Sequence, residues 1–256
     1  MNLSYSTWSS ENIKVEQTLG EDYGEHLKGC HIIKHRKTDE KAILKLVWKQ
    51  SMRKTSSGWK KVMKQRLVWQ KASGSPLIMP LKDFFETESA YCFVGEFIPD
   101  AVSLNVVMKS APLQEDVVKV LSGQIATGLN HLHKNGIILR NLTPDGILIE
   151  KSSGKIKFSD FENAKLSMYS CKSFGDCSYI APEIIQGKQY GKEADWWSFG
   201  IIILEMLIGY TPFGIYCEKK SIRENDISTE VLLRGKETCF LFVLSFDFLK
   251  NRFMTT

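Results

Sequence analysis

Apolar and polar residues alternate along the first third of the chain, mostly with a period of two. Within residues 12–50 the segments "IKVEQTL", "HLKGCHIIKH" and "KAILKLVWK" predict strands, punctuated by Gly20, Gly24 and Gly29. Residues 58–71, "GWKKVMKQRLVWQK", change to helical spacing and predict one amphipathic helix, stopped by "SGSP". Trp59 and Trp69 on this helix are expected in the core. "LIMPLKDFFE" and "AYCFVGEFI" predict two further strands. From residue 103 the pattern is helical: "SLNVVMK", then "QEDVVKVLSGQIATGLNHLHKNG", which ends in a glycine stop at Gly136. Short strands at 147–150 and 155–158, joined by "KSSGK", predict a hairpin; a polar loop over 163–178 and an apolar helix near 196–209 follow.

The order of these elements predicts an α+β fold of two lobes. A tail over 1–11 precedes a β-rich lobe over 12–98; a helical lobe covers 99–213, and 214–256 is a divergent segment that leaves this lobe incomplete. Two lobes place a ligand cleft at their junction. The chain has 256 residues, 43% hydrophobic and 25% charged, as soluble globular proteins do, and a net charge of +5 is too mild to imply nucleic-acid binding. The opening "MNLSYSTWSSENIKVEQ" is polar and not a secretory signal. The apolar run "FGIIILEMLIGYTPFGIY" is interrupted by Glu205 and too short for a bilayer, so no transmembrane segment is expected. Cys30, Cys92, Cys171, Cys177, Cys217 and Cys239 form no zinc pattern. Reduced thiols and a cytoplasmic or nuclear location follow. Between Glu40 and Asp83 the chain holds many lysines and arginines and no acid. Such a run is either a solvated face or a docking site for an acidic protein or anionic membrane.

Residues 136–150, "GIILRNLTPDGILIE", bracket a polar turn between two apolar runs, which is the form of a functional loop between buried strands. Four more stretches stand with it in order: "AILK" ending at Lys45, "DFE" at 160–162, "YIAPE" at 179–183, and "EADWWSFGIIILEMLIGYTPF". Together they resemble the protein kinase superfamily from about residue 12 to 213, with Trp196-Trp197 and "GYTPF" most similar to the AGC group of serine/threonine kinases. The resemblance implies a bilobal kinase fold, ATP and Mg as cofactors, and a nucleotide site built from Lys45, Ala42, Glu96, Ile98 and Leu148. It implies Asp160 as metal ligand, Asn141 at the position of the general base, Arg140 as the regulatory arginine of the activation segment, and Glu183 and Asp195 as structural carboxylates.

Several positions depart from the family pattern. The phosphate-covering loop, "LGEDYGEHLKG", has Gly20 and Gly24 one residue too close, with Asp22 near the middle glycine. The helix that supplies a glutamate to the strand lysine offers Gln65 and Arg66, so Lys45 is expected to lack its ion-pair partner. Asn141 replaces an acid, and an amide takes no proton near neutral pH; losing a general base costs about 10²–10⁴ in rate. Thr143 replaces a lysine, and Gly146 replaces the asparagine of the second magnesium, with Asp145 beside it as a substitute. Glu162 replaces a glycine and either recruits metal or faces water. Gly95 stands at the back of the nucleotide pocket, leaving a cavity or admitting a neighbour such as Trp69. In the activation segment Lys172 aligns with the phosphorylated residue, Ser170 and Ser173 are nearby alternatives, and Asp176 replaces a threonine. The late helices and the arginine that pairs with Glu183 are expected to be absent, with Arg234 and Arg252 as candidate substitutes and Glu183 a candidate unpaired buried charge.

Three readings follow. The first is a pseudokinase that works as a scaffold or regulator through protein partners, with weak or no ATP and Mg binding. The second is an atypical serine/threonine kinase; the third is a truncated product without a complete fold.

Overall fold

The computed structural model describes residues 8–52, 58–170 and 178–211. Strands β1 (Ile13–Thr18), β2 (His31–His35) and β3 (Lys41–Trp48) lead into a single helical turn α1 (Lys49–Met52) and helix α2 (Gly58–Ala72). Strands β4 (Leu81–Glu86) and β5 (Ala90–Glu96) complete an antiparallel sheet of order β1-β2-β3-β5-β4. β4 begins after Pro80 and not at Leu77, because proline has no N–H for the ladder. Beyond it come β6 (Ala101–Ser103), α3 (Leu104–Met108) and α4 (Glu115–Lys134), then β7 (Ile137–Ile138), β8 (Ile147–Glu150), β9 (Lys155–Phe158) and β10 (Lys165–Leu166). Helices α5 (Pro182–Ile185) and α6 (Glu193–Ile208) close the described chain. β8 and β9 form the expected hairpin, and β7 pairs with β10, a strand that lies inside the stretch read as loop. This is the bilobal α+β architecture: a sheet with one long helix, followed by a mostly helical half.

The two faces of the sheet have different partners. On the inner face Ile43 and Phe93 join the main core with Trp69, Ile98, Leu148 and Phe161. On the outer face Ala42, Leu44, Ile33, Cys92 and Val94 close around Trp8. Trp8 is 3% exposed, packs edge-on against His35 at 5.3 Å, and donates its backbone N–H to Asp83 Oδ2 at 3.1 Å. The lower half is held by α4 and α6. α4 buries Val118, Leu121, Ile125, Leu129 and Leu132, a stripe at spacings of three and four. α6 is apolar on nearly all sides and ends at Gly209, whose φ of 84° is the left-handed cap glycine favours.

α2 corrects one expectation. Its buried stripe is Gly58, Val62, Gln65, Val68, Trp69 and Ala72. Trp59 lies about 100° around the helix from Gly58, off that stripe, and is 57% exposed. Only Trp69 of the pair is a core residue. Leu67, also 57% exposed, shares the outer side. The basic run is largely matched by carboxylates from outside it: Lys41 with Glu16, Lys49 with Glu86, Lys82 with Glu40, and both Lys45 and Lys61 with Glu162. Arg66 lies over the Phe84 ring at 4.6 Å. Among the described residues, no helix is long and apolar enough to cross a membrane.

Cys30 and Cys92 are buried thiols, and burial pushes each up to about 11. Because the folded protein favours the protonated thiol, its contribution to stability is present below the unfolded thiol value and is lost as pH rises towards 11. We expect iodoacetamide at pH 8 to label both at least about tenfold more slowly in the folded than in the urea-unfolded protein, read by peptide mass spectrometry.

Candidate active site

The cleft lies where the inner face of the sheet meets the loops after β7 and β9. Lys45 points into it from β3, opposite Phe93 of β5. Strand alternation puts Ile43 on the same side as Lys45 and turns Ala42 to the Trp8 side. Ala42 therefore does not line the cleft, and Ile43 takes the place expected of it. Ile98 and Leu148 are both buried in the main core, on the cleft side. Glu96 donates its backbone N–H to Pro80 O at 3.2 Å, and its carboxylate pairs with Lys157.

The lysine is not alone. α2 has no acid, yet the Glu162 carboxylate reaches Lys45 Nζ at 3.4 Å and Lys61 Nζ at 3.0 Å. The expectation of an unpartnered Lys45 fails, as does the choice between metal and water for Glu162. Sequence reading looked for the counter-charge only on the helix, whereas the chain brings it from the segment after β9. Burial raises the Glu162 carboxyl, and the two lysines outweigh it, holding the group below its ordinary value. Gln65 is buried and Arg66 exposed.

Phe161 is 1% exposed and stacks on Trp69 at 5.8 Å; Trp69 stacks in turn on Phe93 at 6.0 Å. The Trp69 indole N–H donates to Met79 O at 2.6 Å. Trp69 fills the space that Gly95 leaves: a Cβ on Gly95 would lie 3.2 Å from Trp69 Cζ2 and 3.3 Å from Met79 Cε. Among the described residues, Trp69 and Met79 thus occupy the space beside Gly95.

Asn141 sits half-buried at the edge of a small pocket formed with Tyr179, Ile180 and Ile184. Its loop is fastened from below. Asp195, 1% exposed in the first turn of α6, accepts the Leu139 N–H at 2.9 Å and the Arg140 N–H at 2.8 Å, and lies 2.8 Å from His133 Nε2. This clamp supports Arg140 at a φ of 68°, a left-handed conformation that L side chains rarely adopt. The Arg140 side chain donates to Asn163 O at 2.7 Å and Ser170 Oγ at 3.1 Å. Burial lowers the guanidinium from its ordinary value, with Tyr190 and Asp195 opposing. Ser170 is itself buried and pairs by backbone with Tyr190. Glu183 is half-buried at the start of α5, not fully buried, and no described cation pairs with it. Cys171, Lys172, Ser173, Asp176, Cys177, Cys217, Arg234, Cys239 and Arg252 lie outside the described residues.

Asp160 is half-buried and accepts the Glu162 N–H at Oδ1, 3.0 Å. Gly146 offers no side-chain oxygen, and its Cβ position lies 3.2 Å from Asp160 Cβ. Asp145, beside it, accepts from Asn105 Nδ2 at 3.1 Å on both carboxylate oxygens. Among the described residues, no three metal-ligating side chains converge.

The glycine loop was the least legible part. β1 and β2 stop pairing at Thr18 and His31, and residues 21–27 coil into two short 3-10 turns. Gly24, φ 85°, presses onto the catalytic loop, so that a Cβ there would lie 2.4 Å from Asp145 O. Leu27 is buried, and Asp22 is exposed. His26 Nε2 lies 2.9 Å from Ser159 Oγ, whose hydroxyl is 3.1 Å from Gly146 O. With that proton given to Gly146 O, the imidazole donates from Nε2, and its Nδ1 is enclosed without a partner. Burial lowers His26 from its ordinary value, the first cause among several opposing charges.

A strand lysine, an inward Phe161 behind a half-exposed aspartate, and a loop clamped by a buried aspartate together match one family, whose protein kinase domain model covers residues 14–239. The chain belongs to the protein kinase family. It is similar to protein kinase C zeta type of Oryctolagus cuniculus, 29% identical over 87% of this chain and 39% of that protein. It is also similar to atypical protein kinase C of Drosophila melanogaster, 34% identical over 60% of this chain and 26% of that protein. A third relative is cAMP-dependent protein kinase type 3 of Saccharomyces cerevisiae, 37% identical over 54% of this chain and 35% of that protein. The chain spans less than half the length of these curated relatives. The AGC resemblance is thereby supported at the level of the kinase domain.

Two substitutions test the packing of this kinase domain. Gly95→Leu must displace Trp69 and should cost about 1–3 kcal/mol in urea unfolding. Asp195→Ala strands two backbone N–H groups and should cost about 3 kcal/mol or more, with the melt remaining cooperative.

Proposed function

We propose that this kinase domain transfers phosphate poorly or not at all and acts through protein partners as a scaffold or regulator. One observation carries the reading: the loop expected to cover a nucleotide's phosphates rests directly on the catalytic loop at Gly24 and Asp145, with His26 held on Ser159. To take a triphosphate with two cations, the loop would have to lift from that position. Asp160 alone is left as a family-type metal ligand, Gly146 brings no oxygen, and Asp145 is engaged by Asn105. In a related kinase the magnesium-bound nucleotide supplies the phosphoryl group. The residues here that would meet it are Lys45, which carries positive charge, and Asn141, which orients a hydroxyl but takes no proton. We place the protein in the cytoplasm on the same reading.

A second reading, an atypical serine/threonine kinase, draws support from the Lys45–Glu162 pair and the inward Phe161, which keep the cleft's frame in an ordered form. Turnover by this route requires the glycine loop to lift and a base other than Asn141.

Thermal shift with ATP separates the two. If the dissociation constant is about 1 mM or weaker, 1 mM ATP with magnesium stabilises by at most about 0.4 kcal/mol, a shift of about 1–2 °C for a domain of this size. His26→Ala, which removes the contact to Ser159, should enlarge the shift. A magnesium-dependent shift well above this in the unaltered protein, abolished by Lys45→Ala, overturns weak binding. Peptide phosphorylation at the about 1–100 s⁻¹ of ordinary kinases overturns the scaffold reading. Asn141→Asp alone should restore little transfer, because Gly146 and the closed loop remain.

A further inference from the structure

Helix α2 has no acidic residue and carries Lys60, Lys61, Lys64, Arg66 and Lys71. Strand β3 delivers Lys45 to the same region, with its side chain only 15% exposed. A cation so placed needs a counter-charge, and a helix of this composition cannot provide one. The carboxylate comes from Glu162, whose two oxygens are divided: Oε2 to Lys45 at 3.4 Å and Oε1 to Lys61 at 3.0 Å. One side chain therefore bridges strand, helix and the segment after β9. The bridge is seated by its neighbours. The Glu162 N–H donates to Asp160 Oδ1, and Phe161, between them, is stacked beneath Trp69 of the same helix. Asp145 accepts from Asn105 and Asp160 from the Glu162 N–H, and among the described residues no ion pair from either to Lys45 is found.

We propose that Glu162 is the positioning carboxylate of this cleft, fixing the Lys45 ammonium and, through Lys61, fastening helix α2 to the Asp160–Glu162 segment. The polarity is the reverse of a helix-borne acid: the helix supplies the cation and the loop the anion. Lys45, α2 and the loop thus move as one unit. The inference does not depend on whether the domain transfers phosphate, since it concerns only which group holds the lysine and the helix.

The test compares wild type with Glu162→Gln, Glu162→Asp and Lys61→Met. Two readouts are used: the rate of Lys45 acetylation by N-hydroxysuccinimide acetate, mapped by mass spectrometry, and amide hydrogen exchange across residues 58–72. Cooperative melting of each variant serves as a fold control. Glu162→Gln should raise Lys45 acetylation and helix exchange by about two- to fivefold, the range expected for a partly exposed ion pair. Glu162→Asp should retain part of the protection. Lys61→Met keeps the aliphatic stem of a half-exposed residue and should speed helix exchange while leaving Lys45 acetylation unchanged. In wild type, 1 M NaCl should move both readouts towards Glu162→Gln. Equal acetylation in wild type and a folded Glu162→Gln overturns the assignment. Should Glu162→Gln fail to fold, Lys61→Met decides: unchanged exchange in 58–72 overturns the tether.

Discussion

The indole of Trp69 is the contact that makes one body of the two halves. It stands on α2, stacks on Phe93 of the sheet, stacks on Phe161 from beyond β9, and donates to Met79 O. Such aromatic pairs add about 0.5–1.5 kcal/mol each beyond the area they bury. The cost of admitting an indole is met at one position: Gly95 has no side chain, so the tryptophan closes the space behind the cleft without strain. The position of α2, the inward pose of Phe161 and the approach of Glu162 to the lysines all follow from that seat. A larger residue at 95 would push on all of them at once.

Above this seat, electrostatics decides what the cleft tolerates. Lys45 and Lys61 converge on one carboxylate, and the buried Arg140 donates to Asn163 O and Ser170 Oγ. The anions that a nucleotide cleft needs as metal ligands are few. Asp145 faces Asn105, and position 146 has no oxygen to give. His26 is lodged on Ser159, and its burial disfavours the charged imidazolium.

How much of this could be read from the chain depended on the distance over which each cause acts. Periodicity found the strands, α2, α4 and α6, because it records which face each element buries. It missed β6 and β10, strands of three and two residues whose formation depends on their partners β8 and β7. Motif spacing singled out Lys45, Asp160, Arg140 and Asp195, which the fold places at or beneath the cleft. Ala42 was misplaced by one residue, and in a strand one residue is the whole thickness of the sheet. Glu162 was found as a departure, but its partner lies 117 positions away, and no local pattern encodes such a meeting. The glycine loop was recognised as altered, yet its descent onto Asp145 rests on a tertiary contact of Gly24 that spacing cannot express.

The form of the catalytic loop depends little on the side chains that depart from the family pattern. Its framing positions are buried: Leu139, Leu142, Pro144 and Ile147 face the core, and Arg140 is held by Asp195. Of the positions that carry the departures, Asn141 and Thr143 are half-buried, as is Asp145 beside them, while Gly146 is buried and has no side chain to pack. Substitutions there remove protons and charges from the cleft but little apolar burial, so they barely tax the fold. The clamp by Asp195 and the left-handed turn at Arg140 involve none of those side chains. A loop built this way is held by Asp195 on its backbone, so its shape does not rest on the side chains at 141 and 143.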